Sequence, residues 1–117
     1  MVTKNPLEPF ARITVEEAKQ KLDSGTAVMI DVREPHEYAQ VHAKGVRLFP
    51  VNTVIQHLDE IRKFAGDKKE ILLICKSGQR SALAAEFLVA AGLEGYELFN
   101  VEGGTDAWVA AGYPTGD

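Results

Sequence analysis

The sequence predicts an open α/β domain, a mainly parallel sheet of about five strands with helices on both faces. Three observations lead there. Short, wholly apolar runs such as Ala27-Val28-Met29-Ile30 and Ile71-Leu72-Leu73-Ile74 are what strands buried on both faces require. Segments with apolar residues at helical spacing alternate with these runs along the chain. The connections between them are short, which suits right-handed crossovers between neighbouring parallel strands.

Each element has its own local cause. Thr14 followed by Glu17 has the spacing of a capping box, and Val15, Ala18 and Leu22 give a helix over about Val15 to Asp23 that Gly25 stops. Strand Ala27 to Ile30 follows, then a short helical turn from Pro35 to Gln40 with proline at its first position. Val46 to Phe49 reads as a strand, and Val54, Leu58, Ile61 and Phe64 recur at helical spacing up to Gly66. Glu70 to Ile74 is the strongest strand signal and runs directly into Cys75-Lys76-Ser77-Gly78 and a helix from Arg80 to Ala91. Tyr96 to Phe99 supplies the last strand, and Gly103-Gly104 leads into a helix over Thr105 to Ala110. Phe87, Leu88, Phe99 and Trp108 are expected in the core.

The 117 residues, with 45% hydrophobic and 26% charged side chains, are the size and composition of one globular domain, expected over 1–117 with its core at about 11–114. A formal charge of −4 with scattered basic residues argues against a nucleic-acid partner. The longest apolar stretches fall far short of the roughly 20 residues that span a bilayer. The first ten residues lack the apolar region of a secretory signal, so a cytoplasmic location is the expectation. No cofactor is called for, and His36, His42 and His57 are too scattered to suggest a metal site.

Chemistry concentrates at Cys75, the sole cysteine, which has no second thiol for a disulfide or a thiolate zinc site. It stands at the carboxyl end of a buried strand, where ligands sit in open α/β sheets. A tight turn through Gly78 followed by a helix start can converge several backbone N–H groups on its sulfur. That field stabilises a thiolate, lowering the pKa from about 8.5. Lys76 and Arg80 add positive charge nearby in sequence, as electrostatic support for the loop or an anionic substrate. Ser77 and Ser81 suit a loop and a helix N-cap. Asp31 and Arg33, at the end of a neighbouring strand, read as a local ion pair that fixes the scaffold.

The segment Cys75-Lys76-Ser77-Gly78-Gln79-Arg80-Ser81 resembles the active-site loop of rhodanese domains. Ile30-Asp31-Val32-Arg33-Glu34-Pro35-His36-Glu37-Tyr38 resembles the family's first signature and His42-Ala43-Lys44-Gly45-Val46 its second. Val101-Glu102-Gly103-Gly104 through Trp108 and Gly112-Tyr113-Pro114 resembles its closing segment. The resemblance covers about Ile13 to Pro114. It implies a sulfurtransferase in which Cys75 takes sulfur from a small anionic donor such as thiosulfate and passes it to cyanide, a thiol or a protein acceptor. Two other readings stand beside it: a sulfur relay or non-catalytic partner-binding module of the same fold, and a phosphatase. Dual-specificity phosphatases of similar fold place five residues between cysteine and arginine. Here four intervene, a smaller loop that favours a sulfur atom over a tetrahedral phosphate.

Overall fold

A computed structural model describes residues 2–116. Its strands are β1 (Thr3–Lys4), β2 (Ala11–Ile13), β3 (Ala27–Asp31), β4 (Arg47–Leu48), β5 (Glu70–Ile74) and β6 (Glu97–Val101). The helices are α1 (Val15–Asp23), α2 (Pro35–Gln40), α3 (Leu58–Ala65), α4 (Gln79–Ala90) and α5 (Gly104–Ala110). One sheet of six strands runs in the order β1-β2-β6-β5-β3-β4, parallel throughout except for the β1–β2 pair. The expected sheet of about five strands therefore gains an edge. β1 and β2 are two and three residues long, too short to show an apolar run or an alternation.

Successive side chains of the central strands divide between two cores, as the pleat demands. Ile30, Ile71, Leu73 and Leu98 face α3 and α4 with Val54, Ile61, Ala84, Ala85 and Leu88. Met29, Leu72, Ile74, Phe99 and Val101 face the other side with Ile13, Ala18 and Trp108. Trp108 is 1% exposed and its indole N–H donates to the Pro114 carbonyl at 2.8 Å, so the closing segment is tied to α5. Phe87 is a partly buried neighbour of the first core rather than part of its centre.

Local expectations hold with small changes. Thr14 and Glu17 form the reciprocal capping box that starts α1. The helical pattern from Val54 to Phe64 divides, because Val51–His57 winds as a 3-10 helix before α3 begins at Leu58. A 3-10 turn keeps the apolar spacing close enough to an α-helix that periodicity does not separate the two. Among the described residues, no helix is long and apolar enough to cross a membrane.

Register decides where the chemistry sits. Asp31 pairs with Ile74 across β3 and β5, and Leu73 pairs with Asn100 across β5 and β6. Cys75, one residue beyond β5, thus lies between the carboxyl ends of two neighbours. Its side chain falls on the α4 side of the sheet, with Ile71 and Leu73.

Candidate active site

The loop leaves β5 at Ile74 and enters α4 at Gln79, with Gly78 at φ 109° as the residue before the helix. That conformation favours glycine, since a side chain there is strained by its own backbone. The helix has no side-chain cap, and Ser81 lies inside its first turn. The expected N-cap role for Ser81 is therefore corrected: the left-handed Gly78 makes the entry, one turn earlier than a serine cap would.

The loop is held from behind by α5. The Thr105 N–H donates to the Cys75 carbonyl at 2.8 Å and the Asp106 N–H to the Lys76 carbonyl at 3.1 Å. In a trans peptide the C=O and the following N–H point in opposite directions. Pinning the Lys76 carbonyl on α5 therefore turns the Ser77 N–H toward the cysteine side. Gly104 permits this approach, because a Cβ there would meet the Lys76 carbonyl oxygen at 2.5 Å and that of Cys75 at 2.6 Å.

Cys75 is 1% exposed. The Gly78 N–H donates to its sulfur at 3.0 Å, and the Ser81 hydroxyl lies 3.3 Å away. Burial pushes the thiol pKa up. The Ser81 hydroxyl and the amides of Ser81, Gly78 and Ser77 outweigh it and bring the pKa below its ordinary value. Hydrogen bonds to the anion, rather than a neighbouring cation, do most of this.

The charged residues fall into pairs. Arg80 makes two hydrogen bonds to the Glu37 carboxylate, at 2.6 and 2.8 Å, joining the first turn of α4 to α2. The same carboxylate accepts the Glu34 N–H at 3.0 Å. The Arg80 guanidinium is the main reason that the Glu37 carboxyl is held at about 2, against the opposing effect of burial. Lys76 reaches outward to Asp106 at 2.7 Å and is exposed. Both cations thus carry acidic partners, and neither guanidinium nor ammonium hydrogen-bonds the sulfur. Asp31 and Arg33 form the expected buried ion pair at 2.8 Å, and Arg33 also donates to the Val41 carbonyl at 2.7 Å. Their work is to brace the loop after β3. Gln79 opens α4 with an exposed side chain.

Sequence reading did not single out Asn100, Glu37 or Thr105 as site residues. Asn100 is fully buried and donates to the Gly78 carbonyl at 3.0 Å and to Glu102, while Ser81 hydrogen-bonds its carbonyl oxygen. A polar residue set between Phe99 and Val101 in the strand Glu97–Val101 was the available signal, since a buried amide must find partners. A cleft of about 650 Å³ flanks the loop, bordered by Arg33, His36, Glu37, Lys76, Thr105 and Asp106, among others. Cys75 itself does not line it.

A buried thiol cradled by amides at the carboxyl edge of a doubly covered sheet defines a cysteine-loop domain of the open α/β class. Comparison with known proteins gives the family. The model of the rhodanese-like domain matches residues 14–111, and the chain belongs to that family. A rhodanese-related protein from Thermoplasma volcanium is 30% identical over 90% of this chain and 96% of its own, with a TM-score of 0.68. A thiosulfate sulfurtransferase from Pseudomonas aeruginosa is 26% identical with a TM-score of 0.77, over 97% of this chain but only 20% of its own length. A protein from Rhodopseudomonas palustris described as a possible tyrosine phosphatase is 28% identical over 88% of this chain and 82% of its own, with a TM-score of 0.73.

Two outcomes follow from the geometry. Gly104→Ala combines a positive φ with a clash against the loop backbone, and it should cost at least about 2 kcal/mol of stability in chemical denaturation. Glu37 has a depressed pKa in the folded state, so its contribution is fully present above its ordinary value of 4.5 and is lost as pH falls toward about 2. Wild type should therefore be more stable than Glu37→Gln above pH 4.5, with the gap closing between pH 4.5 and 2 in acid titrations of unfolding.

Proposed function

We propose that this chain is a sulfurtransferase that carries sulfur as a persulfide on Cys75. The observation behind this reading is that the Gly78 N–H at 3.0 Å and the Ser81 hydroxyl at 3.3 Å meet at the sulfur of the sole thiol, which favours its thiolate. The Cys75 thiolate attacks the outer sulfur of thiosulfate, forming a new S–S bond. The old S–S bond breaks and its electron pair leaves with sulfite. The negative charge then rests on the outer sulfur of the persulfide, and in this reading the loop N–H groups solvate it. A nucleophile such as cyanide or a thiol attacks that outer sulfur, and Cys75 departs as the thiolate with which the cycle began.

One difficult displacement is thereby divided into two, with ping-pong kinetics as the signature. No resolving cysteine exists in the chain, so the acceptor comes from outside it, as a small thiol, cyanide or a protein. A cytoplasmic setting keeps such a lone thiol reduced. Arg80 and Lys76 contribute through the paired charges around the loop. Four residues between Cys75 and Arg80 give a ring suited to one sulfur atom. The commitment of the Arg80 guanidinium to Glu37 further disfavours phosphate chemistry, which needs donors facing the bound oxygens.

Intact mass spectrometry after exposure to thiosulfate, then cyanide, tests the reading. One added sulfur on Cys75 that cyanide removes is expected, and Cys75→Ser should abolish transfer with little change in the far-ultraviolet spectrum. Persistent turnover in that variant, or hydrolysis of phosphate esters without sulfur loading, would overturn the assignment.

A further inference from the structure

Asn100 sits on β6 with no exposed surface, on the face that carries Cys75 and α4. Its amide has one permitted orientation. The nitrogen faces the Gly78 carbonyl and the Glu102 carboxylate, which only accept, so the oxygen must face Ser81. Glu102 is itself held by Arg12 at 3.1 Å. Ser81 has a single hydroxyl hydrogen and two acceptors within reach, the Asn100 oxygen and the Cys75 sulfur at 3.3 Å. Rotation about its Cβ–Oγ bond moves that hydrogen from one to the other with no heavy atom displaced.

We propose that Asn100 is a positioning residue that makes Ser81 a two-way donor, serving Asn100 while the cysteine sulfur is uncharged and serving the sulfur when it is a thiolate. In the thiol form the Cys75 S–H is the donor to Ser81 and the Ser81 hydrogen lies on Asn100. When the thiol loses its proton to solvent, the Ser81 hydrogen turns to the sulfur. The inference rests on the sulfur-transfer reading for its second half. Once the Cys75 sulfur is bonded to an outer sulfur, the charge has moved outward and the Ser81 hydrogen returns to Asn100. The hydrogen bond that the inner sulfur gives up on loading is thus regained in the protein, which stabilises the loaded form. The fixed Asn100 nitrogen also holds the Gly78 carbonyl against β6, so the residue whose N–H donates to the sulfur is anchored to the same side chain.

Other charged groups near the sulfur are already engaged: Arg80 with Glu37 from α4 and α2, Lys76 with Asp106 from the loop and α5, Asp31 with Arg33 beyond β3, and Glu102 with Arg12 from β6 and β2. None of them has a hydrogen that can alternate between the sulfur and Asn100.

The test is an NMR titration of the isotope-labelled full chain that follows the Asn100 side-chain carbonyl carbon and the Cys75 Cβ together. In wild type both should shift with the same midpoint, and in Ser81→Ala the Asn100 response should disappear while Cys75 still titrates. Addition of thiosulfate above that midpoint should return the Asn100 signal to its low-pH position. An Asn100 carbon that stays still in wild type, or one that responds equally in Ser81→Ala, overturns the inference whatever the sulfur-transfer assay shows. A protein that fails to load sulfur but keeps the coupled titration refutes the function reading and leaves the donor switch standing.

Discussion

The direction in which a few peptide units face, between Cys75 and Gly78, is the constraint on which the rest of the site depends. Those units have two sides, and the fold uses both. The Cys75 and Lys76 carbonyls are taken up by the first amides of α5, and the Gly78 carbonyl by Asn100. Fixing the Lys76 carbonyl turns the Ser77 N–H of the same peptide unit toward the sulfur, and the Gly78 N–H of the next unit donates to the sulfur directly. Two glycines make this possible for different reasons: Gly78 because of its left-handed φ, and Gly104 because it lets α5 approach the loop within the radius of a methyl group.

Burial and hydrogen bonding then oppose each other at one atom. A sulfur with 1% exposure in an apolar core is driven toward the neutral thiol, and the amides and the Ser81 hydroxyl reverse that tendency. Such an arrangement keeps water away from the nucleophile while supplying fixed dipoles that need not reorganise as charge moves. The ion pairs around the loop play a second part. Arg80 with Glu37 and Asp31 with Arg33 lock α2 and the end of β3 around the loop, and this supports its shape more than it supplies charge to the sulfur.

Much of this was legible in the sequence, because the decisive signals are local. Ile71 to Ile74 reads as a buried strand from composition alone, and the glycine three residues after Cys75 marks the turn. Asp31 with Arg33 is legible because partners two residues apart need no tertiary information. Glu37 with Arg80 and Asn100 with Ser81 lie 43 and 19 residues apart, and only the tertiary packing of α4 against α2 and β6 brings them together. The strands β1 and β2 escape for a different reason: at two and three residues they are made by pairing with an existing edge rather than by their own pattern. The role of Gly103-Gly104 was visible only as a helix entry, since its close contact is with a loop almost thirty residues earlier in the chain.

The most direct measurement of the whole account is a crystal structure of the protein after treatment with thiosulfate. An additional sulfur bonded to the Cys75 sulfur, within hydrogen-bonding reach of the loop N–H groups and with the Cys75 and Lys76 carbonyls still on α5, is the predicted result. An unmodified cysteine, or a sulfur adduct facing carbonyl oxygens or hydrocarbon, would contradict it.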